Sequence, residues 1–208
     1  MQPSFVILAA GAGAALAGGS QIQASISVGP RLTRPKAPNL APRQNACFVV
    51  GNSVLPQEVS DAVTNLEAKV TCDASKKTIS GVPDVDAGGV KFSSINFADS
   101  SQTPLAFALD KFATKEPLAD NDLATFQGEL DAYVATEAGI RSVGGNLAIK
   151  VPKFFLAMQV SRIQTAQGNP PAAAGQQVDH LRDKVIKNAG KEDKALLDQV
   201  TALAAKTT

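Results

Sequence analysis

The sequence has little of the chemistry that most enzymes and metalloproteins use. Its 208 residues contain one histidine, one tyrosine, two cysteines and no tryptophan, and aromatic residues make up only 5% of the chain. One histidine cannot build the multi-histidine sites of zinc enzymes, and two cysteines cannot complete an all-cysteine zinc cage. We therefore predict no metal site, no cofactor and no catalytic residue.

Neither sign of charge is in clear excess. The chain carries 20 basic and 19 acidic side chains, for a formal net charge of +1. Nucleic-acid-binding domains usually have a pronounced positive excess, so we expect no nucleic-acid partner. Apolar residues make up 44% of the chain, which is enough for one ordinary globular core.

An uncharged apolar run lies at the N-terminus, over Phe5–Ala17. It is too short to span a bilayer as a helix, which needs about 20 residues. Small residues at its end, followed by Gly18 and Gly19, fit a signal-peptidase site, so residues 1–17 are predicted to be a secretory signal peptide. We expect an extracellular or cell-wall-associated protein whose mature chain has no transmembrane segment.

Residues 18–43 combine glycine, serine, four prolines and four cations. Proline removes a backbone donor and disfavours helix in the residue before it. The segment is predicted to be a disordered pro-region or linker, with Arg43 as a candidate cleavage point. A second interpretation stays open: residues 1–57 contain no acid, as in a mitochondrial transit peptide, so a soluble mitochondrial protein is an alternative.

Cys47 and Cys72 are the two cysteines of the chain. An even number of cysteines in a secreted chain predicts a disulfide. A helix is predicted between them, over Pro56–Val70, from one apolar face made of Val59, Val63, Leu66 and Val70. The bond would join a predicted strand at Ala46–Val50 to the far end of this helix.

The remaining pattern changes from strand to helix. Two or three short strands are predicted over 78–97, joined by a turn at Gly88 and Gly89. Helices follow from Thr103 onward, and the one opened by Pro152 is apolar nearly all round, which is typical of a buried central helix. The helix before it is expected to start at Asp120 or Asn121 and to bury Leu123, Phe126, Leu130, Tyr133 and Val134.

These elements predict an α+β fold that is predominantly α. Short N-terminal strands with one disulfide precede a C-terminal helical bundle, and residues 44–208 form a single α-rich globular domain. Two stretches, Ala46–Asn52 and Tyr133–Phe155, resemble a group of small secreted proteins from filamentous fungi whose biochemical role is uncharacterised. The resemblance covers most of residues 46–205; it implies secretion and assigns no active-site residue.

Charge is unevenly distributed along the chain. Residues 44–140 hold six basic and fourteen acidic side chains, whereas residues 141–208 hold ten basic and five acidic ones. An acid-free gap from Glu137 to Asp179 contains the candidate anion contacts Arg141, Lys150, Lys153 and Arg162. Such a surface would suit phospholipid headgroups, an acidic polysaccharide or an acidic host protein. The alternative is that the basic half contacts the acidic half of the same fold, or is simply solvated.

Two further patterns are interpreted as structural. The segment Asp84–Gly89 lacks the final carboxylate of a calcium loop and is predicted to be a polar turn, and His180 is predicted to lie on the surface. The sequence thus favours a secreted, non-enzymatic binding or interaction protein, surface-associated or effector-like, with an unknown ligand. A secreted hydrolase that uses two carboxylates stays open as an alternative, and a cleft with two converging carboxyl groups of raised pKa would favour it.

Overall fold

The computed structural model of the protein describes residues 46–208, so the predicted signal peptide and pro-region lie outside the described residues. The helices are α1 (Gln57–Leu66), α2 (Pro104–Lys111), α3 (Leu123–Ser142), α4 (Lys150–Ala166), α5 (Val178–Asn188) and α6 (Lys194–Ala204). The strands are β1 (Val70–Lys77), β2 (Pro83–Ala87) and β3 (Val90–Lys91). The buried apolar residues form a hydrophobic core shared by helices and sheet. This confirms the predicted α+β, predominantly α fold, with the strands towards the N-terminus.

The three strands form an antiparallel sheet in the order β1-β2-β3. The turn between β2 and β3 contains Gly88 and Gly89, which both have positive φ. This conformation suits tight hairpins and favours glycine, so the predicted Gly-Gly turn is confirmed. The end of the region predicted to form strands, 78–97, differs: Ile95 and Phe97 lie beside or in short 3-10 turns.

The strand predicted at Ala46–Val50 is wrong, because this segment finds its hydrogen-bond partners on a helix. We call residues 46–53 the N-terminal strap. The backbone N–H groups of Val50 and Gly51 donate to Ser142 Oγ over 3.2 and 2.9 Å. Ser142 ends α3, so the backbone of the strap is satisfied by the end of a helix rather than by a neighbouring strand.

The predicted disulfide is confirmed between Cys47 and Cys72. It joins the N-terminal strap to β1 rather than to the end of α1, because the chain has already left the helix. Helix α1 stops at Leu66, and Val70 pairs with Ala87 in the sheet. The residues of α1 that were predicted to face the core are buried: Val59, Val63 and Leu66.

The helices around α4 follow the predicted pattern. Thr103 caps α2 by accepting a hydrogen bond from the N–H of Ala106, and Pro104 occupies the first turn. Pro152 lies in the first turn of α4, and this helix is buried over most of its circumference, as expected for a central helix. Among residues 46–208, no helix combines the length and the hydropathy needed to cross a membrane.

Helix α3 departs from its predicted apolar stripe. Tyr133 is fully buried, but the other predicted positions are only half-buried: Leu123, Phe126, Leu130 and Val134. The buried face consists largely of small residues: Gly128, Ala132, Ala135, Ala138 and Gly139. Small side chains let neighbouring backbone approach the helix closely. The N-cap is Asp122, which accepts from the N–H of Ala124 over 3.0 Å, rather than Asp120 or Asn121.

Replacing Gly139 by alanine is expected to destabilise the protein, although alanine is intrinsically the better helix former by about 1 kcal/mol. A Cβ at Gly139 would lie 2.5 Å from the carbonyl oxygen of Phe48 and 2.7 Å from both Cγ atoms of Val82. The strap would have to move, and such overpacking costs about 1–3 kcal/mol. Urea denaturation measures the loss. Gly175→Ala is the control, since its Cβ would meet no atom within 4 Å; a Gly139→Ala protein as stable as this control would contradict the prediction.

Candidate functional site

The structure separates the four cations that were grouped as candidate anion contacts. Arg141 lies in the last turn of α3, Lys150 and Lys153 lie in the first turn of α4, and Arg162 lies further along α4. Arg162 is fully buried, so the prediction that it faces an anionic surface is wrong. It occupies a position on the inner side of α4, where its guanidinium points into the protein.

Neutral oxygen atoms hold the buried Arg162 guanidinium. Its Nε donates to the backbone oxygen of Lys206 over 2.9 Å, and its Nη1 donates to Gln159 Oε1 over 2.6 Å. Its Nη2 has no hydrogen-bond partner among the described residues, and burial lowers the pKa of the guanidinium. The contact with Lys206 links α4 to the chain that follows α6, so Arg162 has a structural role.

Arg141 and Lys153 share one buried carboxylate, Glu137 of α3. Arg141 Nη2 lies 2.8 Å from Glu137 Oε1, and Lys153 Nζ lies 2.5 Å from Glu137 Oε2. We call these three residues the ion cluster. The side chains of the two cations keep 16% and 17% exposure, against 3% for Glu137. Two cations against one carboxylate leave the ion cluster with a net positive charge, and at this point the basic half of the chain does contact the acidic half.

The backbone at the start of α4 is not an open anion site. The N–H groups of Lys150 and Lys153 already donate to carbonyl oxygens of the preceding turn, at Leu147 and Ile149. Lys150 is half-buried, and within residues 46–208 it forms no ion pair. Of the three predicted cations that keep contact with solvent, Arg141, Lys150 and Lys153, Lys150 is thus the one that forms no ion pair with a carboxylate of the described chain.

A cleft with a volume of about 380 Å³ lies between α3, α4 and the segment that leads into α5. We call it the α3–α4 cleft. Its lining residues are Gln127, Leu130 and Val134 of α3, Lys153, Phe154, Ala157, Val160, Ser161 and Gln164 of α4, and Pro171, Gln176 and Leu181 beyond. On each helix the lining positions recur every three or four residues, so they share one face. The volume lies in the range of small-molecule sites.

The α3–α4 cleft has an apolar wall with a few polar groups. Lys153 belongs to the ion cluster, and Gln127 Nε2 donates to Asp131 Oδ1 over 2.8 Å. The hydroxyl of Ser161 is buried and has no hydrogen-bond partner among the described residues. A buried polar group without a partner is costly, and Ser161 is the lining residue that carries such a group.

Other candidate residues have structural roles. Asp84 lies in β2 and accepts hydrogen bonds from the N–H and the hydroxyl of Ser93 over 2.8 and 2.6 Å. Asp86 accepts from the N–H of Gly89 over 3.0 Å, which stabilises the predicted turn. His180 is exposed, as predicted. Within the part of the chain that the structure describes, no group of three or more His, Cys, Asp or Glu side chains could hold a metal ion.

Glu129 is the side chain most relevant to the hydrolase alternative. Burial raises the pKa of its carboxyl to about 7, and the nearby charge of Lys111 opposes this shift. A two-carboxylate hydrolase needs a second carboxyl group across the substrate. Glu129 is not among the residues that line the α3–α4 cleft, and that lining contains no Asp or Glu. The raised pKa of Glu129 therefore reflects its burial, and the cleft does not supply the pair that the hydrolase requires.

Sequence reasoning missed the α3–α4 cleft because it assigned Leu130 and Val134 to the core. The lining faces of α3 and α4 carried no local signal that set them apart from faces that pack into the core. The sequence did not show that these two faces would meet, since helix pairing depends on the tertiary fold.

Fold and site together define a small disulfide-linked α+β domain with a ligand-sized cleft between two of its helices. The family comparison matches residues 49–208 to a domain of unknown function, DUF7143, and the chain belongs to this family. No match is found among curated proteins or among solved structures. The family description states no activity, so function is argued from the cleft.

Proposed function

We propose that the protein is a secreted, non-enzymatic binding protein that holds a small ligand in the α3–α4 cleft. The observation that carries this proposal is the cleft itself: a ligand-sized space with a mainly apolar wall and a few polar side chains among its lining residues. Ligand sites in proteins typically combine such a wall with a few placed polar groups. The lining contains no histidine, cysteine or acid that would activate Ser161 as a nucleophile, which favours binding over catalysis.

Secretion is supported by the N-terminal sequence and by the disulfide. The apolar run Phe5–Ala17 ends in small residues, as signal peptides do. The Cys47–Cys72 bond suits an oxidising compartment and disfavours a reducing one. The resemblance to small secreted fungal proteins agrees with a surface-associated or effector-like role outside the cell.

Expression with the complete N-terminus in a eukaryotic secretory host tests this location. We expect the protein in the medium, with its disulfide formed and with a new N-terminus near Gly18 or Gln44. The mitochondrial alternative instead places the protein in the organelle fraction of its native cell, with both cysteines reduced. A cell-retained protein with free thiols would contradict secretion.

Ala157→Leu is expected to abolish small-ligand binding without unfolding the protein. Ala157 lies in the middle of the α3–α4 cleft and is only half-buried, so three added carbons would occupy ligand space rather than core. Leucine is nearly as good a helix former as alanine. Titration with the neutral dye Nile red, followed by its fluorescence, should show at least tenfold weaker binding than in the wild type.

The matched control is Ala202→Leu, an identical change at an exposed position of α6. It should leave dye binding unchanged, and circular dichroism of both variants checks that their helices are intact. If Ala157→Leu binds the dye as well as the wild type does, the α3–α4 cleft is not the binding site.

A further inference from the structure

We propose that the ligand of the α3–α4 cleft is a linear amphiphile with one anionic head group, and that this head binds at the Lys153 end. This inference rests on the proposed function and adds the chemistry of the ligand.

The cleft runs along two antiparallel helices. Glu137, near the end of α3, contacts Lys153, near the start of α4. At the opposite end, Gln167, which follows α4, donates to the backbone oxygen of Asn121, which precedes α3, over 3.2 Å. The α3–α4 cleft therefore has two distinct ends, with the ion cluster at one and the amides of Gln127 and Gln164 at the other.

The ion-cluster end is positive. Arg141 and Lys153 share the single carboxylate of Glu137, and Lys150 adds an uncompensated cation in the same turn of α4. No acid occurs in the sequence between Glu137 and Asp179, so α4 itself supplies no negative charge to this end.

An anionic head group could bind to the ion cluster without breaking the contacts that the cluster already makes. Lys153 is 17% exposed, so its ammonium can donate to a second oxygen atom while it keeps its contact with Glu137. The Lys153 Nζ also lies 4.2 Å from the centroid of the Phe154 ring, which places an apolar surface directly beside the charge. An ammonium next to an apolar wall is the arrangement that complements a carboxylate on a hydrocarbon chain.

The apolar wall fits a chain of moderate length. Beyond Lys153 it is formed by Val134, Ala157, Leu130, Val160 and Leu181. The volume of the cleft, about 380 Å³, lies near the lower end of the range of small-molecule sites. Decanoate, which has one carboxylate on a short apolar chain, is therefore a suitable probe, with its carboxylate at Lys153 and its methyl end towards the glutamines.

Calorimetric titration with decanoate, decanol and decyltrimethylammonium tests the inference, because the three probes share a chain and differ in head charge. We expect decanoate to bind at least tenfold more tightly than decanol, and the cationic probe not to bind. Lys153→Met should remove the preference for decanoate over decanol. Lys153→Arg should keep the preference, and Lys194→Met, at an exposed cation of α6, is the matched control.

Ionic strength gives a second readout that needs no variant. The affinity of the wild type for decanoate should decrease as NaCl is raised from 0.05 to 0.5 M, whereas its affinity for decanol should not, because salt screens only the head-group interaction.

Equal binding of decanoate and decanol, at both salt concentrations, would overturn the anionic-head inference while binding in the cleft stands. If no probe binds and Nile red binding is also insensitive to Ala157→Leu, the proposed function fails as well. Sedimentation with phosphatidylglycerol vesicles, without binding of free decanoate, would replace the ligand by a membrane surface and overturn the inference.

Discussion

Replacing Glu137 by glutamine is expected to lower the free energy of unfolding by about 3 kcal/mol. The change keeps the size of the side chain but removes the one negative charge that Arg141 and Lys153 share. Removing one partner of a buried ion pair costs about 3–5 kcal/mol, because the other charge is left without compensation. We expect the lower end of this range, since both cations retain some contact with solvent.

Urea denaturation of Glu137→Gln and wild type measures this loss directly. The matched control is Asp198→Asn, which removes the carboxylate of the exposed Lys194–Asp198 pair on α6. Exposed pairs of this kind contribute about 0.5 kcal/mol, so the control should unfold close to the wild type. If the two variants lose the same free energy, the ion cluster does not behave as a buried one and the prediction is wrong.

Removing the Cys47–Cys72 disulfide is expected to cost about 3–4 kcal/mol. The two cysteines are 25 residues apart in sequence, and a cross-link that closes a loop of this size stabilises mainly by restricting the unfolded chain. In the folded protein the bond also holds the N-terminal strap beside β1. The strap carries the fully buried Phe48, so release of the strap would also expose part of the core.

Reduction and substitution test the disulfide independently. The reductant TCEP should lower the urea midpoint of the wild type and leave the Cys47→Ala/Cys72→Ala double variant unchanged, and this double variant should resemble the reduced wild type. A loss below about 1 kcal/mol on reduction would show that the strap is held by Ser142 and by the burial of Phe48 rather than by the bond.

Local patterns predicted most of the helices well. Thr103-Pro104 starts α2, Pro152 lies in the first turn of α4, and Gly88-Gly89 forms the hairpin turn. Each of these features depends on backbone preferences within a few residues, which the sequence displays directly. The prediction at Ala46–Val50 was wrong for the opposite reason: an apolar run shows that a segment is buried, but not which donors and acceptors it will meet.

The candidate site was harder to predict because the charge pattern of a sequence does not show how deeply each side chain is buried. Four cations in an acid-free stretch suggested one surface. The structure places Arg162 inside the core, pairs Arg141 and Lys153 with Glu137, and leaves Lys150 half-buried. The spacing of cations along a helix shows which face each occupies, but whether that face meets solvent, core or a carboxylate depends on the neighbouring helices.

The sequence by itself determined which reactive side chains this protein has and where most of its turns and helices begin. One histidine, two cysteines and the near-balance of charge limit what the chain can do, and short-range preferences place its turns and most of its helix starts. Only the tertiary structure decided that the strap lies against α3, that Glu137 joins two cations, and that α3 and α4 leave a cleft with one positive end. These features bring together residues that are far apart in the chain, and such contacts follow from close packing of the whole domain rather than from any local pattern.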